Sequence, residues 1–462
     1  MSQAKFDTLA LKTDLLENLQ TLGYHSMTPI QAKSIPHILK GVDVIAQGQT
    51  GSGKTAAFAL GLLNKLQVKK FRIQTLVLCP TRELADQVSN EIRKLARSIH
   101  NIKVLTLCGG MPFGPQVGSL EHGAHIIVGT PGRIVDHISR GTLDLSNVDT
   151  LVLDEADRML EMGFQDSLEE VLAEIPKQKQ TLMFSATFSP QIESIAQRYM
   201  VKPAMVEAES THDENSIQQR FYKVDGANHR ASALKYILLE HQPESAIVFC
   251  NTKKDTQAVA DSLSHFGFTV LSLHGDLEQR DRDRAIIMFS NKSANILVAT
   301  DVAARGLDID SVELVVNYDM AHDTDTHTHR VGRTGRAGNQ GIACSLFSDR
   351  ESHKVELLDL PSDPVVNYDT LPDKDILNVK PRYASFKTIQ IDGGKKQKVR
   401  AGDILGALTA GKEIDGKLIG KINLFDNWAY VAVNEKIAKK AFQKISQGKL
   451  KGRSFRARLL HV

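Results

Sequence analysis

The chain has 462 residues, of which 42% are hydrophobic and 24% are charged, and its formal net charge is +3. This length predicts two or three domains, and the hydrophobic content is sufficient to bury a core in each. No apolar run approaches the roughly 20 residues that cross a bilayer, and the first residues are typical of an amphipathic helix, so membrane and secreted proteins are excluded and a cytoplasmic location is expected.

The four cysteines lie far apart in the sequence and form no C-x-x-C pair. Three of them lie in or at the ends of strand-like apolar runs such as TLVLC and AIVFC. We therefore expect buried, reduced thiols, with no disulfide partner and no zinc site.

A glycine-rich run follows the first strand-like stretch. The sequence AQGQTGSGKT at residues 46–55 meets the spacing G-x-x-x-x-G-K-T and leads into a helix-prone segment. Such a loop curls around phosphate oxygens, which its amide groups and the following helix N-terminus attract. The strand–loop–helix context favours a nucleoside triphosphate site over a flexible turn. The predicted nucleotide-binding residues of this loop are Gly48, Thr50, Gly51, Ser52, Gly53, Lys54 and Thr55.

Acidic residues end a later apolar run, TLVL, at Asp154-Glu155-Ala156-Asp157. Asp154 would hold Mg²⁺ together with the Thr55 hydroxyl, while Glu155 would polarise the water that attacks the γ-phosphate. Taken alone, the four residues would equally suit a solvated acidic helix start. With the upstream loop, they predict hydrolysis as well as binding, and Lys54, Asp154 and Glu155 are predicted to be catalytic.

Short apolar runs alternate with amphipathic stretches along most of the chain, in two series separated by the polar residues 207–216. This alternation predicts two tandem parallel α/β sheets with a cleft between them. Four prolines between 361 and 381 then indicate a connector. We expect domains at residues 1–207 and 208–362, a linker at 363–382 and a further module at 383–462.

The final module is basic. Residues 383–462 carry 17 basic and 6 acidic side chains, a net charge of +11, whereas the preceding residues carry −8. This asymmetry indicates binding to a polyanion, most simply nucleic acid. A solvated basic tail is the alternative, but apolar alternation and turn signals along the module argue against disorder.

The order of elements in this module, β-α-β-β-α-β, is similar to that of an RNA recognition motif, a small α+β domain. Its third strand places Trp428 and Tyr430 on one face, where they could stack on bases or merely cover a core edge. Asp426 and Asn427 depart from the pattern of that motif. Basic residues, among them Lys451 and Arg453, offer a second route to RNA.

The ordered motifs together resemble those of DEAD-box ATP-dependent RNA helicases, over about residues 6–347. That resemblance implies two RecA-like domains, with ATP and Mg²⁺ as cofactors. Gly23-Tyr24 and Thr28-Pro29-Ile30-Gln31 match the Q motif, whose glutamine reads adenine, so Tyr24 and Gln31 are expected at the nucleotide. Met27 replaces the usual proline.

The resemblance also supplies RNA-contacting residues. Charged side chains, hydroxyls and small residues with exposed amides suit a ribose–phosphate backbone rather than bases, although TPGR alone would be a plain helix start. In the first lobe these residues are Pro80, Thr81, Arg82, Gly110, Thr130, Gly132 and Arg133. In the second lobe they are Thr252, Gly275 and Thr300, while Asp308 would face the ribose of the nucleotide. Ser185-Ala186-Thr187 matches the motif that links hydrolysis to unwinding.

The string His329-Arg330-Val331-Gly332-Arg333-Thr334-Gly335-Arg336 completes the set. Arg333 and Arg336 are three residues apart, which on a helix would point both at one site. By resemblance they are arginine fingers that stabilise the transferring phosphoryl group, and His329 bridges toward residues 185–187. A metal site at nearby His322 and His327 is disfavoured because cysteine ligands are absent.

The resemblance implies that ATP and RNA close the two lobes, that RNA stimulates hydrolysis, and that short duplexes are opened locally. The basic tail resembles that of one bacterial branch of the family, which implies recruitment to 23S ribosomal RNA during large-subunit assembly. A monomer is expected. The alternatives are an ATP-gated RNA clamp or assembly scaffold without productive unwinding, and a DNA helicase.

Overall fold

The computed structural model describes residues 4–48, 51–207, 217–304, 311–335, 340–358, 360 and 368–462. The chain divides into two compact units, whose described parts begin at residues 4 and 217. Within these described ranges, no helix is both long and apolar enough to cross a membrane.

The first unit is built on a seven-stranded parallel sheet with the order β3-β4-β2-β5-β6-β1-β7. The strands are β1 (Val44–Gln47), β2 (Thr75–Leu78), β3 (Val104–Leu107), β4 (Ile126–Gly129), β5 (Thr150–Asp154), β6 (Gln180–Ser185) and β7 (Ala204–Glu207). The helices are α1 (Thr13–Thr21), α2 (Pro29–Leu39), α3 (Lys54–Lys65), α4 (Arg82–Leu95), α5 (Phe113–Glu121), α6 (Pro131–Ser139), α7 (Ala156–Glu161), α8 (Gln165–Glu174) and α9 (Pro190–Tyr199).

Both faces of this sheet are buried. Along β1, Val44 and Ala46 pack into one apolar layer and Ile45 packs into the other. Successive strand residues point to opposite faces, so a strand covered on both sides needs apolar residues throughout. This is why the strands are visible in the sequence as short continuous apolar runs.

The second unit contains a six-stranded parallel sheet with the order β10-β11-β9-β12-β13-β8. Its strands are β8 (Ile217–Lys223), β9 (Ala246–Cys250), β10 (Val270–Leu273), β11 (Ile296–Thr300), β12 (Leu314–Asn317) and β13 (Gly341–Phe347). Its helices are α10 (Gly226–His241), α11 (Lys253–Phe266), α12 (Gln279–Ser290), α13 (Asp301–Ala304), α14 (Thr324–Val331) and α15 (Ser352–Glu356).

The same unit ends in a small domain with a four-stranded antiparallel sheet, in the order β15-β16-β14-β17. Its elements are β14 (Phe386–Ile391), α16 (Ala401–Thr409), β15 (Ile419–Leu424), β16 (Ala429–Asn434), α17 (Ala438–Gln447) and β17 (Ala457–Leu459). The predicted fold class, two tandem RecA-like parallel-sheet domains followed by a small α+β domain, is confirmed.

The segment before the small domain is bound to the second parallel-sheet domain. The backbone N–H of Phe221 donates to Asp369 Oδ2 at 2.9 Å, and Arg382 forms an ion pair with Glu244. Further along, the N–H of Ala384 donates to Thr269 Oγ1 at 3.3 Å. The described part of the expected linker is therefore attached at several points along its course.

The small domain also packs its open sheet face onto α12. Tyr430 and Leu460 form an apolar cluster with Ile287 and Met288 of that helix. Beside the cluster, the hydroxyl of Thr388 is hydrogen-bonded to Ser293 Oγ at 2.7 Å and accepts from Asn291 Nδ2 at 3.2 Å. All three of these polar side chains are buried. Polar and apolar contacts together fix this face on the second parallel-sheet domain.

This contact bears on the two alternatives for Trp428 and Tyr430, stacking on bases or covering a core edge, and it favours the second for Tyr430. Tyr430 is only 5% exposed because α12 covers it, whereas Trp428 is 38% exposed. While the small domain is packed in this way, Tyr430 cannot stack on bases. Its role in the described structure is to hold two domains together.

Thr388→Val should weaken this contact without changing the size of the side chain. The substitution leaves buried groups of Asn291 and Ser293 without a partner, a loss worth about 1–3 kcal/mol. Trp428 is the only tryptophan, so its fluorescence during urea unfolding reports on the small domain. Thr409→Val is the control, since the Thr409 hydroxyl donates to the Leu405 carbonyl at an exposed site. Equal unfolding midpoints for the two variants would contradict the assigned role.

Candidate nucleotide and RNA site

The predicted phosphate-binding loop leads from β1 into α3. Gly51 and Gly53 have φ values of 87° and 93°, a left-handed conformation that favours glycine. A Cβ atom at Gly53 would also lie 2.5 Å from Gln31 Nε2. The loop is anchored at its start, where the N–H of Gly48 donates to the Ser185 carbonyl at 3.0 Å. Thr50, a predicted site residue, lies outside the described residues.

Two polar side-chain groups of the loop, the Lys54 ammonium and the Ser52 hydroxyl, are largely shielded from solvent. Lys54 is 6% exposed, and its Nζ donates to the Gly48 carbonyl at 2.7 Å. The buried Ser52 Oγ has no hydrogen-bond partner among the described residues. A buried polar atom without a partner is unfavourable. The loop thus presents a cation and an unsatisfied hydroxyl, which are suited to an anionic ligand.

Gln31 connects the Q-motif segment to this loop. Its Oε1 accepts from the N–H of Thr28 at 3.0 Å, and its Nε2 donates to the Gly53 carbonyl at 3.1 Å. Tyr24 lies on the same segment, and its hydroxyl donates to Glu91 on α4 at 2.5 Å. Both predicted adenine-side residues are therefore fixed by hydrogen bonds.

The acidic residues at and after the end of β5 differ in their surroundings. Burial raises the pKa of Asp154 to about 7, against the lowering effect of Lys54. Glu155 is buried and has a φ of 51°, which is uncommon for a residue with a side chain and typical of functional sites. Asp157 is hydrogen-bonded to the segment that follows β6.

Asp157 binds the Ser185-Ala186-Thr187 segment through its carboxylate. Its Oδ2 accepts from the N–H groups of Ala186 and Thr187, each at 3.0 Å. Burial would raise the pKa of Asp157, but the hydrogen bond from Thr187 and the charge of Lys54 outweigh it and lower the pKa. A charged, buried carboxylate thus joins the ends of β5 and β6.

The residues expected to bind metal suit Mg²⁺. Thr55 and Asp154 offer a hydroxyl and a carboxylate. Thr55 lies at the start of α3, Asp154 ends β5, and only β6 separates β5 from β1 in the sheet order. Within the described ranges, no group of three or more histidine, cysteine, aspartate or glutamate residues could hold a metal. Magnesium commonly uses one or two protein oxygens together with substrate phosphates and water. The chemistry of these donors therefore fits a nucleotide-bound ion.

The predicted RNA-contacting residues of the first unit lie at the carboxyl ends of three neighbouring strands, β2, β4 and β3. Thr81 caps α4, where its hydroxyl accepts from the Leu84 N–H at 3.2 Å. Arg133 near the start of α6 pairs with Asp136 at 3.3 Å. The structure thus places the predicted RNA-contacting residues of this unit at one edge of the sheet. They are Pro80, Thr81, Arg82, Gly110, Thr130, Gly132 and Arg133.

The second unit repeats this arrangement at β9, β10 and β11, which are also neighbours. Thr252 caps α11 by accepting from the Asp255 N–H at 3.1 Å. Gly275 follows β10, and Thr300 ends β11. These three predicted residues therefore share one edge of the second sheet.

The arginine-rich string departs from the expected helix. Helix α14 ends at Val331, and Arg333 lies beyond it in a turn, where its carbonyl accepts from the Val312 N–H at 3.0 Å. The helical spacing argument therefore does not hold for Arg333, which is not helical. His329 lies on α14 and is half-buried. Arg336 and Asp308 lie outside the described residues.

Sequence reasoning missed the role of Arg330 in this string. Arg330 is 1% exposed, and its Nε and Nη2 donate to the two carboxylate oxygens of Asp301 at 2.6 and 2.7 Å. Nη2 also donates to Asn251 Oδ1 at 2.7 Å. A bidentate pair of this kind fixes geometry. The available signals in the sequence were the arginine within the motif and the aspartate that directly follows β11, although the two are distant in sequence.

The basic residues Lys451 and Arg453 lie together on an exposed turn of the small domain. The Leu450 N–H donates to the Arg453 carbonyl at 2.8 Å, which closes the turn. Lys451 adopts a φ of 52° within it. Both side chains are exposed and available to a polyanion.

Three family models match successive parts of the chain. They are described as DEAD/DEAH box helicase (residues 28–195), helicase conserved C-terminal domain (229–338) and DbpA RNA binding domain (388–459). Among curated relatives, ATP-dependent RNA helicase DbpA of Escherichia coli is 50% identical and covers 98% of this chain and 99% of its own. DEAD-box ATP-dependent RNA helicase CshA of Bacillus subtilis is 43% identical, over 77% of this chain and 72% of its own.

A solved structure of similar fold is Saccharomyces cerevisiae Dbp5 bound to RNA and ADP BeF3. It has a TM-score of 0.70 and 31% identity, and it covers 79% of this chain and 97% of its own. Mss116p bound to ssRNA and AMP-PNP has a TM-score of 0.72 and 27% identity, over 81% of each chain.

Asp157→Asn should destabilise the first unit by about 2–3 kcal/mol, because an amide cannot accept both N–H groups with the strength of a carboxylate. Asp157 has a lowered pKa. Its contribution is therefore fully present above the unfolded pKa of about 4 and is lost as the pH falls through the folded value. Urea unfolding followed by circular dichroism, at neutral and at acidic pH, measures this difference.

Asp144→Asn is the matched control, since Asp144 is exposed and accepts only locally, from the Ser146 N–H at 2.9 Å. A loss of stability equal to that of the control, or one that persists unchanged in acid, would reject the proposed link between β5 and β6.

Proposed function

Because the chain belongs to the DEAD-box family of ATP-dependent RNA helicases, we propose that it hydrolyses ATP when RNA binds and uses that cycle to open short duplexes near an anchoring site in 23S ribosomal RNA. The observation that carries this proposal is that backbone and side-chain hydrogen bonds join both the nucleotide loop and the acidic residues to residues 185–187. Gly48 is bonded to the Ser185 carbonyl, and Asp157 to Ala186 and Thr187.

In the proposed mechanism, Lys54 and the amide groups of the loop bind the phosphates of ATP. Gln31 and Tyr24 hold the adenine. A bound Mg²⁺, held by Thr55 and Asp154, would neutralise charge on the phosphates. Glu155 orients the attacking water. Its left-handed backbone, with a φ of 51°, differs from the extended conformation usual for the residue that precedes a helix.

Arg333 and Arg336 of the second domain, with Asp308 on the ribose and His329 toward residues 185–187, complete the nucleotide site. RNA bound to both helicase domains favours the state in which this site is complete. By linkage, RNA then tightens ATP binding and ATP tightens RNA binding to the same degree. Single-stranded RNA is bound better than a duplex, so strand separation follows from differential binding.

The small domain supplies targeting. Support comes from its match to the DbpA RNA binding domain model and from 50% identity to a DbpA along almost the whole chain. Since the sheet face is covered by α12, RNA would bind at exposed basic residues such as Lys451 and Arg453. The proposed setting is the cytoplasm, where the protein acts as a monomer on large-subunit precursor particles.

The central experiment compares ATP hydrolysis with and without RNA in the wild type and in Arg333→Gln. We expect RNA to stimulate the wild type and the variant to lose about 10³-fold or more of the stimulated rate, as arginine fingers do in related enzymes. Binding of a fluorescent ATP analogue should persist. Arg350→Gln, at an exposed position, is the control. Equal rates for the two variants would exclude Arg333 from the reaction.

Displacement of a short RNA strand then separates the remaining functions. Stimulated hydrolysis without displacement would support an ATP-gated clamp or assembly scaffold. Equal stimulation by DNA would support a DNA helicase.

Targeting is tested with Lys451→Gln/Arg453→Gln. Loss of two phosphate contacts should raise the half-stimulating concentration of a 23S ribosomal RNA fragment by about tenfold or more. Stimulation by random RNA of equal length should remain unchanged. Lys69→Gln/Lys70→Gln removes the same charge from an exposed site on the first unit. An unchanged ratio between the two RNAs would reject targeting by this turn.

A further inference from the structure

Three side chains form a stack beside the first-unit RNA edge. The rings of Phe113 and His137 lie 4.3 Å apart between centroids with an interplanar angle of 20°. The Arg140 guanidinium lies 4.4 Å from the centroid of Phe113. Phe113 begins α5, a few residues after Gly110, while His137 and Arg140 lie at the end of α6. The stack thus joins two segments that carry RNA-motif residues.

The base of this stack is rigid. His137 is fully buried, and its two ring nitrogens are hydrogen-bonded to Thr142 Oγ1 at 2.8 Å and Gln116 Oε1 at 3.1 Å. Gln116 in turn donates to the Cys108 carbonyl at 3.0 Å, directly before the glycine pair. An immobile imidazole therefore supports the Phe113 ring.

Arg133 uses the same aromatic ring. Its guanidinium lies 5.6 Å from the Phe113 centroid, and its Nη1 donates to the Met111 carbonyl at 3.1 Å. Arg133 and Arg140 are seven residues apart, two helical turns, so they extend from one side of α6. The guanidinium groups of both arginines therefore lie next to the Phe113 ring.

Arg140 differs from Arg133 in having no charge partner. Asp136, the nearby carboxylate, is paired with Arg133, and no hydrogen bond or ion pair joins the Arg140 guanidinium to any other part of the chain that the structure describes. Helix capping does not explain it either. The carbonyls of His137 and Ile138 accept from the N–H groups of Thr142 and Gly141, each at 2.9 Å.

We propose that Arg140 binds a backbone phosphate of single-stranded RNA as the strand leaves the first-unit motifs, with Phe113 as its positioning residue. This rests on the proposed function, since it extends the RNA path of that site. The Arg140 guanidinium lies over the Phe113 ring, and a guanidinium presents its N–H groups in its own plane, a geometry suited to a phosphate. Stacking reduces the side-chain freedom that binding would otherwise cost.

Arg140→Gln tests the contact in the full-length protein. Binding of a fluorescent oligouridine is measured by anisotropy over a range of salt concentrations. We expect about three- to tenfold weaker binding and a salt dependence shallower by about 0.7, the value for one phosphate contact to a single strand. A short strand that covers only the motif residues should bind as it does to the wild type. The hydrolysis rate at saturating RNA should not change.

Arg198→Gln is the matched control. Arg198 also lies over an aromatic ring, 5.3 Å from the Tyr199 centroid, but it is paired with Glu169 at 2.9 Å. Arg140→Lys keeps the charge and loses the planar stack, and Phe113→Leu keeps an apolar side chain and removes the ring. Both variants should bind RNA with an intermediate affinity. If only the charge of Arg140 mattered, Arg140→Lys would bind RNA as tightly as the wild type, and this result would overturn the positioning role of Phe113.

If Arg140→Gln binds RNA with the same affinity and salt dependence as Arg198→Gln, the phosphate contact is rejected. If RNA nevertheless stimulates ATP hydrolysis by the wild type, the proposed function remains intact. A wild type that binds no RNA overturns both.

Discussion

Parallel strand pairing places the carboxyl ends of all strands in a sheet at one edge, and the candidate site depends on this constraint. In the first sheet the order β3-β4-β2-β5-β6-β1 divides that edge into two halves. The segments after β3, β4 and β2 resemble RNA-contacting motifs, and those after β5, β6 and β1 carry the residues proposed to bind the nucleotide. Strand order alone therefore brings residues that are distant in sequence to the same edge of the sheet.

Buried polar side chains then connect segments that strand order only brings close. Gln31 joins the Q-motif segment to Gly53, and Asp157 joins the residue run after β5 to that after β6. Such groups are costly to bury unless they are satisfied, so each one specifies a particular arrangement of its neighbours. A movement of one segment therefore displaces the next. We expect these connections to couple ATP binding to RNA binding.

Much of this was predictable because the signals were local. Continuous apolar runs indicated strands buried on both faces, and the spacing from Gly48 to Thr55 identified the phosphate loop. Other features were not predictable because they depend on residues far away in sequence. Alternation along β16 showed that Tyr430 would face outward from its own sheet, but not that Ile287 and Met288 would cover it. Likewise, the helical spacing of Arg333 failed because α14 ends at Val331, before a glycine, and hydrogen bonds to Val312 hold the turn that follows.

The four cysteines, Cys79, Cys108, Cys250 and Cys344, are all buried as free thiols. Burial raises the pKa of Cys108 and of Cys344 to about 12, and it raises those of Cys79 and Cys250 as well. Maleimide dyes react with accessible thiolates, so the native thiols should remain unlabelled. Single surface cysteines introduced on each helicase domain would then accept fluorophores in an otherwise wild-type background, which permits energy-transfer measurements of lobe movement during turnover.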